Sequence, residues 1–160
     1  MKKQLKILLT IALSAALVSP AFAADKIALV VKSLGNGFFD AANQGAQEAA
    51  KELKNVEIIY TGPAKATAEG QIEIVNSLIA QKVSAIVISA NDPDALAPVL
   101  KRAMDRGIKV ISFDSGVRKD GRMMQLNASS NALIGEKLVT MTQDAIGSTC
   151  LLYTSDAADE

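Results

Sequence analysis

Four residues have types and positions suited to chemistry. Lys32 closes the apolar run "KIALVV", and Asp114 closes a second, "IKVISF". Phe38 and Phe39 stand side by side after the turn Gly35-Asn36-Gly37, in a chain with four Phe, two Tyr and no Trp. A carboxylate can accept two hydroxyl hydrogen bonds at once; an ammonium donates to oxygens or pairs with that carboxylate. An exposed aromatic face takes the apolar side of a small polyol such as a sugar, while polar groups around it handle the hydroxyls. Plainer readings stand beside these: Asp114 as a turn residue before Ser115-Gly116, Lys32 as a solvated charge, the Phe pair as core. Helix neighbours point about 100° apart, so one ring can enter a core while the other faces a cleft. The residues alone leave the pair open between core and site.

Other chemistries find little support. Gly35-Asn36-Gly37 invites a phosphate-binding reading, but G-x-G-x-x-G lacks its third glycine, because position 40 is Asp. G-x-x-x-x-G-K-[ST] is absent too, and the glycines are read as permitting a sharp strand-to-helix turn. The chain has no His and one Cys, Cys150. The commonest general base and metal ligand is therefore missing, and no serine-elbow motif replaces it. A lone Lys32–Asp114 pair is a poor acid–base couple, so neither an enzyme, a metal nor a cofactor is expected. Residues 24–149 hold 14 basic and 14 acidic side chains. That balance, with no basic stripe, argues against a nucleic-acid partner, and no basic amphipathic helix points to a membrane surface.

The two ends read differently from the middle. Lys2, Lys3 and Lys6 precede an apolar segment, Ile7 to Val18, and Ala21-Phe22-Ala23 forms an A-x-A cleavage site. This is the pattern of a secretory signal over 1–23, cleaved after Ala23, and the apolar run is short for a membrane span of about 20 residues. At the other end "CLLYTSDAADE", 150–160, resembles the translated read-through of a transposase sequencing adapter, so a gene truncated near Thr149 is expected.

The elements that must position the four residues alternate strand and helix. "KIALVV", "VEIIYTG", "SAIVISA", "IKVISFDS" and "RMMQLNAS" read as strands. Between them lie a helix with small or apolar residues at 38, 42, 45, 46, 49 and 53, and a second with Ile72, Val75, Leu78 and Ile79 on one face. A third starts at the N-cap Asp92 with Pro93 at its first position and stops at Gly107, and a fourth covers 131–147. Continuous apolar strands indicate parallel neighbours buried on both faces, and helices of this length imply right-handed βαβ units. The fold class is α/β, a doubly wound parallel sheet. Ligands of such sheets bind outside the carboxyl ends of the strands, where the loops 32–39, 90–94 and 114–122 lie.

Three stretches, "KIALVVKSLGNGFFDAANQGAQEAAKEL", "ISANDPDALAPVLKRAMDRGIKVISFDSG" and "LNASSNALIGEKL", resemble the type I periplasmic sugar-binding proteins of ABC importers, with the rhamnose-binding and autoinducer-2-binding subgroup nearest. The resemblance implies a two-lobed, hinge-closing protein, monomeric at full length, whose partners are a sugar and a permease in the inner membrane. It implies that Phe38 and Phe39 flank the sugar, that Asp114 binds hydroxyls and that Lys32 touches ligand. A ligand role for Phe39 further implies that Phe39→Ala abolishes binding with little loss of fold. Ribose-type relatives carry Asn-Asn-Pro-Phe-Phe and an Arg after the Asp, where this chain has Gly35-Asn36-Gly37-Phe38-Phe39 and Ser115. These departures argue against ribose and leave rhamnose, autoinducer-2 or another furanose-like or deoxy sugar. On this resemblance residues 24–127 are the first pass through the N-terminal lobe and 128–149 the start of a largely missing second lobe, so this chain alone is expected to bind sugar poorly. Two alternatives share the fold: the sugar-responsive effector domain of a transcription regulator, whose helix-turn-helix would stand where the signal stands, and a flavodoxin-like enzyme.

Overall fold

The computed structural model describes residues 24–127 and 129–146. The signal segment, its cleavage site and the 150–160 tail lie outside the described residues. Five strands, β1 (Asp25–Val30), β2 (Val56–Thr61), β3 (Ala85–Ile88), β4 (Lys109–Phe113) and β5 (Met124–Leu126), form one sheet in the order β2-β1-β3-β4-β5. Every pairing is parallel. Four helices connect or follow them: α1 (Gly37–Leu53), α2 (Ala68–Gln81), α3 (Pro93–Asp105) and α4 (Asn131–Ile146). The expected doubly wound parallel sheet is observed.

Period-two alternation divides the core. Ala28, Val30, Ile86, Ile88 and Val110 face one side, where Val75, Leu78 and Ile79 of α2 and Leu96 and Leu100 of α3 cover them. Leu29, Val31, Val87 and Phe113 face the other, against Phe39 and Ala46 of α1. Side-chain caps start the helices by satisfying otherwise unpaired N–H groups. Asn36 Oδ1 accepts from Phe38 N at 2.9 Å, and Asp92 Oδ1 accepts from Asp94 N and Ala95 N at 2.8 and 2.9 Å. The reading of Asp92 and Pro93 as a helix start is therefore met. Gly121 needs its missing side chain: a Cβ there would lie 2.8 Å from Ala97 Cα, so the loop after β4 rests directly on α3.

The inner face of α1 differs from the expected stripe. Phe39 is buried and Ala42, Ala46 and Ala50 are half-buried, whereas Phe38, Gly45, Ala49 and Leu53 are exposed. The helix is rotated by about one residue relative to the expectation. An Ala-rich sequence gives little contrast between faces, and the single buried Phe decides which side docks. Helix α4 buries none of its residues.

One contact fastens α1 to the sheet beside the site. The Tyr60 hydroxyl donates to Asp40 Oδ1 at 2.8 Å. Burial, then the hydrogen bond and the negative charge of Asp40, push the Tyr60 phenol up from its ordinary value of 10.0 to about 12. The stabilisation this provides is fully present below pH 10 and is lost as pH rises through 12, because the folded state then holds a proton that the unfolded state has released. Comparing urea midpoints of the wild type and Tyr60→Phe across that range should show the wild type losing more stability; parallel curves would contradict the assignment.

Candidate functional site

The strand edge brings the expected residues together. Lys32 Nζ lies 4.0 Å from Asp114 Oδ2, with side chains 35% and 36% exposed. An ion pair this open and this long contributes little stability. Asp114 has φ +54°, in the left-handed region that non-glycine residues rarely occupy and that Asp and Asn tolerate best. Ser89 Oγ donates to Asp114 Oδ2 at 2.7 Å, so one carboxylate oxygen is already engaged.

The Phe pair divides. Phe38 is 56% exposed and Phe39 only 3%. Phe39 makes edge-to-face contacts with Phe38 at 5.2 Å and with Phe113 at 6.2 Å, forming a continuous aromatic wall. The expectation that Phe39 could be truncated with little loss of fold is thereby reversed: its ring is part of the core that seats α1.

A cavity of about 250 Å³ opens at this edge, lined by Phe38, Phe113, Asp114, Leu126, Asn127, Ser129, Asn131 and Ile134. Half the lining is apolar and half carries hydroxyl, amide or carboxylate groups, the composition of a site for a small amphipathic molecule. Lys32 is not among the lining residues and meets the site through Asp114. Asn127 is steadied from beneath: Ser112 Oγ bonds Gln125 Oε1, and Gln125 Nε2 donates to Asn127 Oδ1 at 2.8 Å.

Gln71, Ser89, Asn91, Phe113 and Asn127 join the site without having been singled out from the sequence. Gln71 is fully buried. Its amide donates to Val31 O at 3.0 Å and Ser89 O at 2.8 Å, and accepts from Asn91 N at 2.8 Å. Asn91 Nδ2 in turn donates to Lys32 O and Thr67 O, at 2.9 and 3.1 Å. The available signal was spacing: Gln71 stands four residues before Val75 and seven before Leu78, a polar residue in register with the buried face. No group of three or more potential metal ligands occurs among the described residues, and no helix among them is long and apolar enough to cross a membrane.

An α/β sheet with an amphipathic cavity at its carboxyl edge, bounded by an aromatic wall and a carboxylate, has the make-up of a small-molecule site. The chain belongs to the periplasmic binding protein family, whose domain model matches residues 27–157. It is 38% identical over 112 residues to a D-ribose/D-allose-binding protein of Pseudomonas aeruginosa, covering 69% of this chain and 34% of that one. Among solved structures, LsrB from Clostridium saccharobutylicum in complex with AI-2 superposes with a TM-score of 0.71 at 31% identity, over 75% of this chain and 36% of that one. A Clostridium phytofermentas ABC transporter solute-binding protein with bound L-rhamnose gives 0.70 at 34% identity, over 76% and 38%. The chain thus spans about a third of the length of these proteins.

Gln71→Leu would keep the volume and leave two carbonyls and one N–H without a partner. The expected loss is about 3 kcal/mol, at about 1 kcal/mol or more for each unsatisfied group. Urea denaturation should show a lowered midpoint at unchanged slope; an unchanged midpoint would mean the amide is not a clamp.

Proposed function

We propose that the chain is the first lobe of an exported solute-binding protein that captures a sugar in the periplasm and delivers it to an ABC importer in the inner membrane. The observation that carries this reading is the cavity in which the exposed Phe38 ring and Phe113 stand with Asp114 at the carboxyl edge of a parallel sheet. A flat apolar ring takes the C–H face of a sugar, and a carboxylate takes its hydroxyls. Family membership supports transport rather than catalysis: the relatives and structures compared are binding proteins.

The favoured ligand bears a methyl group, as L-rhamnose and autoinducer-2 do. Leu126 and Ile134 line the cavity beyond the two rings and offer a methyl an apolar place that a fully hydroxylated sugar would not use. Gly35-Asn36-Gly37 and Ser115 depart from the ribose-type pattern and argue against ribose, without choosing among the other sugars. In this reading 24–127 is the first pass through one lobe, 128–149 begins the other, and cleavage after Ala23 releases the mature protein. Lys32, Phe38, Phe39 and Asp114 are the proposed ligand set, with Phe38 and Asp114 facing the sugar, Phe39 acting chiefly from behind Phe38, and Lys32 acting through Asp114.

Amide-resolved NMR detects the weak binding expected of one lobe. L-rhamnose should shift the amides of 32–39, 114–116 and 126–131, with D-ribose shifting them less. Phe38→Ala should remove most of the rhamnose response at an unchanged urea midpoint, and Phe39→Ala should cost about 3–5 kcal/mol of stability. If rhamnose, autoinducer-2 and ribose all leave these amides unmoved at saturating concentration, the sugar reading is wrong.

A further inference from the structure

We infer that Ser89 is a positioning residue that turns the Asp114 carboxylate so that its unpartnered oxygen, Oδ1, is the one offered foremost to ligand. The ligand half of this inference rests on the sugar reading; the orientation half does not.

Ser89 is fully buried just beyond β3, and all its polar groups are engaged. Its N–H donates to Val30 O at 3.0 Å, extending the ladder to β1. Its carbonyl accepts from Gln71 Nε2 at 2.8 Å. Its hydroxyl donates to Asp114 Oδ2 at 2.7 Å, in the range of a charge-assisted bond. A side chain with its backbone held at both ends cannot follow the carboxylate if it swings, so it fixes the carboxylate instead.

The other constraints on Asp114 act in the same sense. Lys32 Nζ faces the same oxygen, Oδ2, at 4.0 Å. The following residue is pinned, since Ala90 N donates to Ser115 O at 3.0 Å, and the left-handed backbone at Asp114 sets where its Cβ leaves the chain. Among the described residues Oδ1 has no hydrogen-bond partner, and Asp114 lines the cavity. A free carboxylate could accept two hydroxyls side by side on its two oxygens. Held as it is, Asp114 presents Oδ1 with both lone pairs free, while Oδ2, already accepting from Ser89, keeps at most one. Ser89 thereby restricts which hydroxyl arrangement fits, which makes it a selectivity residue that never touches ligand.

The test compares the wild type with Ser89→Ala, and with Ser89→Cys, which keeps a side chain in place but donates only weakly. The three-bond couplings of the Asp114 side chain, measured by NMR without ligand, should report one rotamer in the wild type and averaging in both variants. L-rhamnose affinity, from the same amide titration, should fall about tenfold, the effect of losing one charge-assisted bond. A merely structural role would lower the urea midpoint and leave the couplings unchanged; unchanged couplings in a folded variant overturn the proposal. If the wild type binds no sugar, the sugar reading fails, while the couplings still decide whether Ser89 orients Asp114.

Discussion

The arrangement of this sheet and its edge depends on one buried side-chain amide. In an open parallel sheet the strand order reverses at one point, here between β1 and β3, and the crevice beyond those strand ends is the usual place for a ligand. Gln71 occupies it. Its two donors and its acceptor are all used, on the ends of both strands and on Asn91, which in turn holds Lys32 and the start of α2. A buried amide satisfied on every side is rigid, and one left unsatisfied would be costly, so the loops after β1 and β3 are tied to each other. With the crevice sealed, the open part of the edge is displaced toward β4 and β5, where the cavity lies.

From that clamp the site is built by relay. Gln71 fixes the Ser89 backbone, Ser89 fixes Asp114, and Phe39 wedges under α1 to fix Phe38. The groups facing the cavity are therefore supported by groups that do not. The division of the two rings follows from helix geometry: adjacent residues cannot both face inward, and the buried one also decides which face of α1 docks. Tyr60 and Asp40 add a second tie between α1 and β2 on that side of the sheet.

Much of this was legible in the residues. Continuous apolar runs gave the parallel strands, Asp92-Pro93 and Gly107 marked the ends of α3, and Lys32 and Asp114 stood out because charged residues closed those runs. The orientation of α1 was not legible, because alanines on several faces offer almost equal packing and only the docking of Phe39 separates them. Ser89 was hidden as a small residue inside the run "VISAN", and Gln71 as one polar residue in an apolar face. Phe113 and Asn127 enter the site only because the sheet sets β4 beside β5 and near α1. Such long-range proximity leaves no local pattern to read.

A crystal structure of the protein with L-rhamnose should show the sugar stacked on Phe38, beside Phe113, with a hydroxyl about 2.5–3.0 Å from Asp114 Oδ1 and the Gln71 amide undisturbed. A sugar seated between β1 and β3 with Gln71 displaced, or one that makes no contact with Asp114, would contradict this placement.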